Sequence, residues 1–171
     1  FMRSILFFLF LALTSPVWAA ETVPVKITSD SMQYTQKGDQ VVFSGAVHVI
    51  RQEIELWSDT LTVLLEKKEG AKNATQSAVD AQGSIKKIIA QGNVRIKADN
   101  GRSGNCGKAT YDAAQELLTM EDKPVLMEGQ NKIQGEIIKL YVKENRSEVI
   151  GGKGRVEAIF NTKGDMPGLK Q

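Results

Sequence analysis

The stretch that decides the fold runs from residue 88 to residue 99 and reads IIAQGNVRIKAD. From residue 90 onward the even positions carry apolar or small side chains, and the odd positions carry polar or charged ones. This two-residue period is typical of a strand with one buried face and one solvated face, and helical spacing does not produce it. The stretch therefore predicts a half-buried β-strand.

The same period appears in residues 41–49 and 154–160. Helix signals are few, and residues 66–82 are the best candidate for a short helix or a loose loop. We therefore expect an all-β domain.

Some of the predicted strands change phase partway along. Residues 54 and 56 are apolar on even positions, whereas residues 61, 63 and 65 are apolar on odd ones, and residues 133–142 show a similar change. A one-residue slip turns every side chain to the opposite face, so a chain that keeps one side dry must bend or bulge there. The pattern predicts strands that turn a corner between two facing sheets. Two separate strands joined by a tight turn would give the same pattern, and the sequence leaves this alternative open.

A short motif, a small residue followed by an alternating strand, recurs along the chain. Copies begin at Gly45, Gly92, Lys123 and Gly154, and the last three are equally spaced. The longer first interval contains a polar insertion at residues 69–84. Because one such unit cannot bury its apolar face alone, neighbouring units must stack strand upon strand. The repeat predicts an elongated stack with open ends.

Composition argues against an enzyme or a metalloprotein. The chain has 171 residues, a formal net charge of +2, one cysteine and one histidine. It cannot form an internal disulfide, a Cys/His zinc site or a Ser/His/Asp triad with a spare base. We assign no catalytic residue, no metal ligand and no cofactor, and the balanced charge gives no indication of a nucleic-acid partner. Cys106 lies in a glycine-rich stretch that we interpret as a loop carrying a free thiol, with an intermolecular disulfide as the alternative, and His48 falls on the solvated face of its strand.

The N-terminus has the pattern of a secretory signal. Arg3 precedes an uncharged apolar run at residues 5–13, which ends at Thr14-Ser15-Pro16 and is followed by Val17-Trp18-Ala19. The run is too short for a spanning helix of about 20 residues. We predict a cleaved signal peptide at residues 1–19, a domain at residues 20–162 and a flexible tail at residues 163–171. An uncleaved membrane anchor is the alternative.

Together these residues resemble the OstA-like family of lipopolysaccharide-transport proteins. The resemblance covers residues 27–160 and rests on the repeated corner and Gly-x-Val pattern, with Asp30 and Asp59 opening two of the corners. The chain departs from the pattern at Lys108 and Glu136, where an Asp is usual, and at Lys123, where a Gly is usual.

The resemblance implies an open, folded-over, jelly-roll-like stack of antiparallel strands in two facing sheets. It implies a non-enzymatic periplasmic carrier that binds the lipid A acyl chains of lipopolysaccharide and passes them from the inner to the outer membrane. It also implies head-to-tail assembly of copies, and end-to-end assembly with inner-membrane LptC-like and outer-membrane LptD-like components. The two-residue period selects the inward side chains that would line the lipid groove: Phe43, Val47, Val49, Leu56, Leu61, Val63, Ile88, Val94, Ile96, Val125, Met127, Leu140 and Val156.

Two other functions fit parts of the sequence. A membrane-anchored LptC-like assembly subunit would retain residues 1–19. A sugar-active jelly-roll enzyme would need two carboxyl groups that converge in a cleft, about 5 to 10 Å apart. Asp30 and Asp59 recur at equivalent repeat positions, which favours a turn-forming role for them, because Asp readily accepts hydrogen bonds from nearby backbone amides.

Overall fold

The computed structural model describes residues 24–35, 39–66, 85–98 and 101–162. In these ranges the chain forms twelve β-strands and no helix, so the all-β prediction is confirmed. The predicted signal peptide, the polar insertion, nearly all of the candidate helix or loop and the predicted tail lie outside the described residues. The strands are β1 (Val25–Thr28), β2 (Ser31–Thr35), β3 (Gln40–Arg51), β4 (Ile54–Leu65), β5 (Ile85–Ala98), β6 (Arg102–Asp112), β7 (Leu117–Glu121), β8 (Val125–Glu128), β9 (Asn131–Gln134), β10 (Ile137–Tyr141), β11 (Arg146–Ile150) and β12 (Glu157–Ile159).

All of these strands pair antiparallel, and the four long strands β3 to β6 lie side by side in chain order. At both ends of this block the pairing divides. On one side β3 pairs with β1 through one half and with β2 through the other. On the other side β6 pairs with β8 through residues 102–105 and with β7 through residues 108–112. The outer strands then continue as β8, β9 and β12 or as β7, β10 and β11.

This division defines two limbs. Limb A contains β1, β8, β9 and β12 with the halves of β3 to β6 that continue them, and limb B contains β2, β7, β10 and β11 with the remaining halves. The limbs meet along a corner line where the ladder is interrupted, between Ser44 and Val47, Trp57 and Thr60, and Gln91 and Val94. Strand β4 runs unbroken through this line, so its phase change marks a corner and not a tight turn between two strands.

The hydrophobic core lies between the limbs. Buried side chains from both limbs form one cluster within the described ranges, and several of them, such as Met120 and Ile138, are completely buried. The cluster consists of Val41, Val47, Leu61, Val63, Ala90, Val94, Cys106, Ala109, Met120 and Ile138.

The interpretation of Cys106 as a loop residue is wrong. Cys106 lies inside β6, opposite Val94 of β5, and its side chain is a buried, unpaired member of the core. The glycines around Cys106 are typical of a loop, but Gly104 and Gly107 both lie within β6. Gly104 leaves room for packing across the limbs, and Gly107 lies at the corner line.

Candidate functional site

The apolar side chains between the limbs become more exposed with distance from the corner line. In limb A, Val47 and Val94 next to the corner are each 1% exposed, whereas Val49 and Ile96, two residues farther along, are half-buried. Ile54, at the far end of the limb, is 49% exposed. The space between the limbs is therefore closed at the corner line and opens toward solvent on the opposite side. We call its open, half-buried part the groove.

Two rows of cross-strand neighbours line the groove, one on each limb. Because directly opposed residues on neighbouring strands point to the same face, each row is continuous across the strands. The limb A row is Ile27, Val49, Leu56, Ile96, Leu126 and Ile133, with Gly104 between the fourth and fifth, and the limb B row is Tyr34, Val41, Val63, Ile88, Tyr111, Leu118 and Leu140.

Ten of the thirteen predicted lining residues lie between the limbs. Four of them, Val47, Leu61, Val63 and Val94, belong to the buried core. Val63 is a member of the limb B row, whereas the other three lie next to the corner line, in the closed part of the space that we call the closed floor of the groove. Six others are half-buried and pack against the core: Phe43, Val49, Leu56, Ile88, Ile96 and Leu140.

The other three predicted lining residues do not pack against the core. In β8 it is Leu126 that packs against the core and approaches Gly104. Because side chains alternate along a strand, Val125 and Met127 point to the outer face of limb A, and their predicted inward position is wrong. Val156 precedes β12 and is 46% exposed, so it is not among the half-buried side chains that pack against the core, and its predicted inward position stays a prediction.

The error in β8 has a local cause. At two corners a glycine and the residue after it have positive φ angles: Gly45 with Ala46, and Gly92 with Asn93. In the third copy of the repeat the corresponding pair is Asp122 and Lys123. The copy therefore begins one residue earlier than the sequence alignment suggests, and every side chain of β8 moves to the opposite face.

Sequence reasoning missed several half-buried side chains that lie between the limbs. Ile27, Tyr34, Leu118, Leu126 and Val149 all pack against the core. Two of them could have been predicted from the sequence. Leu118 has the same two-residue phase as Met120, and Leu126 faces inward once the third copy of the repeat is aligned one residue earlier.

The groove rows contain no charged side chain among the described residues. Ser58, the one buried polar residue in the described ranges, lies opposite Val47 and outside the two rows, and its hydroxyl donates to the Thr60 carbonyl over 3.0 Å. The pKa of the Cys106 thiol is raised to about 11, chiefly by burial; a hydrogen bond with the Lys108 backbone lowers it and the nearby Asp122 carboxylate raises it. The interior therefore favours uncharged groups.

The outer face of limb A carries the polar partners of these strands. His48 lies on this face as predicted, but it is not simply solvated. Its ring stacks on Trp57 with 4.9 Å between centroids, and its Nε2 is 2.8 Å from Glu55 Oε2. The Arg95 guanidinium lies 5.7 Å from the centroid of the Trp57 ring. These neighbours lie on the successive strands β3, β4 and β5, so their contacts join the three strands across the outer face of limb A.

Neither a metal centre nor a membrane-spanning helix is found in the ranges that the structure describes. No three His, Cys, Asp or Glu side chains gather as metal ligands there. No helix in the same ranges has the length and apolar character needed to cross a bilayer.

Comparison with protein families identifies the domain. A family model described as LptA/(LptD N-terminal domain) LPS transport protein matches residues 26–146. The chain belongs to this family. The match spans most of the described strands, from β1 to the beginning of β11, and it confirms the OstA-like resemblance.

Individual members of the LptA/LptD family show the same relationship. The lipopolysaccharide export system protein LptA of Escherichia coli is 24% identical over 159 residues, covering 86% of this chain and 80% of its own. The protein of that name from Haemophilus influenzae is 26% identical over 140 residues, covering 80% and 76%. The crystal structure of LptH, the LptA-homologous periplasmic component from Pseudomonas aeruginosa, matches with a TM-score of 0.65 at 14% identity, covering 81% of this chain and 96% of that one.

These comparisons bear on two predictions. The open, jelly-roll-like all-β fold is confirmed, because the described strands match a solved LptA-type structure over nearly its whole length. Membership in a family of transport proteins confirms that the chain is not an enzyme, so the sugar-active alternative is wrong.

Proposed function

We propose that this chain is a non-enzymatic periplasmic bridge that carries the lipid A acyl chains of lipopolysaccharide in the groove. The supporting observation is the pair of apolar rows, most of whose side chains are half-buried. The space between them opens to solvent along one side, and the rows contain no charged side chain among the described residues. Each acyl CH₂ that moves from water into such a space gains about 0.8 kcal/mol. Aliphatic side chains provide this gain without directional bonds that would hold the cargo at one point.

The two faces of β8 provide a direct test. A photoreactive amino acid at Leu126 should capture lipopolysaccharide, because this side chain packs in the groove. The same amino acid at Val125, the adjacent residue on the outer face, should not. Leu140 and Lys139 form a second such pair on β10. Equal capture at both members of each pair would reject the groove as the binding site.

We also propose that copies of the chain assemble head to tail through their open ends. Each limb contains eight strands in series, and neighbouring strands alternate in direction, so the first and last strands of a limb run antiparallel. A second copy placed end to end would therefore continue the antiparallel ladder of both limbs. Unpaired strand edges of this kind are templates for another strand.

Exposed apolar side chains are concentrated at these two ends. Val25 and Met32 lie on β1 and β2 at one end, and they are 41% and 59% exposed. Ile159 and Phe160 lie on and beside β12 at the other end, and they are 46% and 64% exposed. If the rows of limb A continue in register, Ala158 of one copy lies opposite Ile27 of the next.

Cysteine crosslinking tests the assembly and its register. In a Cys106→Ala background, Ala158→Cys combined with Ile27→Cys should yield disulfide-linked ladders under mild oxidation, because opposed Cβ atoms lie about 4.5–5.5 Å apart. Ala158→Cys combined with Lys26→Cys is the matched control, since the neighbouring side chain points to the other face. Monomers alone from both pairs would reject the assembly.

The same ends are proposed to join related domains of inner-membrane LptC-like and outer-membrane LptD-like components. We propose export to the periplasm through cleavage of residues 1–19, leaving the domain at residues 20–162 and a tail at residues 163–171. N-terminal sequencing of the exported protein should begin at residue 20. Retention of residues 1–19 would instead favour a membrane-anchored subunit.

A further inference from the structure

The corner line carries one repeated arrangement, a carboxylate packed against a glycine of a neighbouring segment. Four such pairs occur in the described residues, and in each of them a Cβ on the glycine would overlap the carboxylate side chain. We call them the corner pairs: Asp30 with Gly45, Asp59 with Gly92, Asp122 with Gly107, and Glu136 with Gly152.

The corner pairs lie where regular pairing stops. The ladder between β4 and β5 is interrupted from Trp57 to Thr60, and Asp59 stands in this gap. There the Asn93 amide donates to Asp59 Oδ2 over 2.8 Å, and at another corner the Lys153 backbone N–H donates to Glu136 Oε2 over 2.7 Å. Side-chain contacts therefore supplement the missing ladder bonds along this line.

Single backbone bonds complete the corners. Asp30 N donates to Gly45 O over 2.9 Å, and Gly107 N donates to Asp122 O over 2.8 Å. A line of isolated bonds between two continuous ladders is where a folded-over sheet can change its angle at the lowest cost. Hinges consist of a few residues that absorb the change in backbone angles.

The closed floor of the groove gives a reason for such a movement. Leu61, Met120 and Ile138 are each at most 1% exposed, so acyl chains that reach this depth require the limbs to separate. All eight strand lines cross the corner line, and the limbs share no other covalent connection among the described residues.

We propose that the corner line is the hinge about which the two limbs open, and that the corner pairs hold its resting angle. This inference rests on the proposed function, because lipid supplies the reason to open. The carboxylates act as positioning groups: each fills the space above a glycine, and those of Asp59 and Glu136 also accept a hydrogen bond from the neighbouring segment.

Distances between the limbs test the hinge without lipid. Spin labels at Lys97→Cys on limb A and Gln33→Cys on limb B, both at exposed outer positions, report the opening in a Cys106→Ala background. Asp59→Ala should broaden the distance distribution, because it removes both the packing on Gly92 and the bond from Asn93. Asp59→Asn, which retains the size and one acceptor oxygen, should return the width toward that of the unsubstituted corner.

Asp112→Ala is the matched control. Asp112 Oδ1 accepts hydrogen bonds from the backbone N–H groups of Ala114 and Gln115 at 3.1 and 3.2 Å, but it lies at the β6–β7 turn, away from the corner line. This variant should lower stability without changing the width. Equal broadening by both variants, or none by Asp59→Ala, would overturn the hinge.

Added lipopolysaccharide separates this inference from the proposed function. If lipopolysaccharide shifts the distances between the spin labels to longer values, and does so more in Asp59→Ala than in the protein with Asp59, both the hinge and the proposed function are supported. A shift with no effect of Asp59→Ala overturns the hinge but leaves the groove as carrier. Distances that respond to Asp59→Ala but never to lipopolysaccharide reject the cargo, and with it the reason for opening.

Discussion

Met120 of limb B packs directly over Gly104 of limb A. Its Cε lies 2.9 Å from the position that a Cβ on Gly104 would occupy, and Leu126 Cδ2 lies 3.3 Å from the same position. Met120 itself is completely buried. The two limbs are therefore in contact at this glycine, and side-chain volume here sets how closely they approach.

Gly104→Val should separate the limbs at this contact. We expect the free energy of unfolding to fall by about 1–3 kcal/mol, the usual cost of adding methyl groups to a packed core. Urea unfolding measures the loss. Gly154→Val is the control, because the nearest atom to a Cβ there, Gly151 O, is 3.5 Å away. An equal loss in both variants would show that chain entropy, and not the contact with Met120, is responsible.

The third corner pair has its carboxylate and its glycine in the reverse chain order. In the pair of Asp59 and Gly92 the carboxylate precedes the glycine in the chain, whereas in the pair of Gly107 and Asp122 it follows the glycine. Gly107→Asp alone should be strongly destabilising, because its side chain would overlap that of Asp122. The double variant Gly107→Asp with Asp122→Gly should recover a free energy of unfolding within about 1 kcal/mol of the parent.

A double-mutant cycle by urea unfolding gives the coupling between these two positions. The exchange also places glycine where Asp122 has a φ of 62°, which removes an unfavourable left-handed residue. Additive losses from the two single changes would contradict the interchangeability of the corner pairs.

Ala46 occupies a backbone position better suited to glycine. Its φ is 43°, and its side chain is exposed. The equivalent residue at the next corner is Asn93, a residue type that tolerates this conformation. Ala46→Gly should therefore raise the free energy of unfolding, by about 0.5–1 kcal/mol after the greater flexibility of glycine in the unfolded chain is included. Thermal unfolding measures the gain.

Ala114→Gly serves as the comparison for Ala46→Gly. Ala114 is also exposed but has no positive φ, so glycine there should lower stability. A loss of stability in both variants would show that Ala46 is not strained.

The two-residue period was sufficient to predict strands β3 and β5, their inward faces and the corner within β4. It predicted that Val49 and Leu56 face inward, because alternation is a local property of a strand. It failed at Val125, because the third copy has Asp122 where two earlier corners have a glycine with a positive φ angle, so the alignment placed the start of this copy one residue too late. The position of a carboxylate's glycine partner on another strand is a property of the fold.

The depth at which a side chain lies within the groove was not predictable from the sequence, for a related reason. Val94 and Ile96 have the same phase and similar character, yet Val94 lies at the closed floor and Ile96 in the open part. Their difference depends on distance from the corner line. The stack of His48 on Trp57 likewise depends on strand register, which brings together residues that are separate in the sequence.

The buried thiol of Cys106 predicts a specific dependence of stability on pH. Burial raises its pKa in the folded protein from 9.0 to about 11, so the folded state disfavours the thiolate. Below the unfolded pKa of 9.0 the thiol is neutral in both states, and its contribution to stability is fully present. As the pH rises from 9.0 through about 11, the unfolded chain loses this proton first and the contribution is lost.

Urea unfolding at a pH of about 8 and of about 10.5 should therefore show a larger loss of stability in the parent protein than in Cys106→Ala. The alanine variant carries the same lysine and tyrosine side chains, so their titration cancels in the comparison. Alkylation of Cys106 should also be slow in the folded protein, because the thiolate is the reactive form and the side chain is buried. Equal losses in both proteins, together with rapid alkylation, would place this thiol in contact with water and contradict the closed floor of the groove.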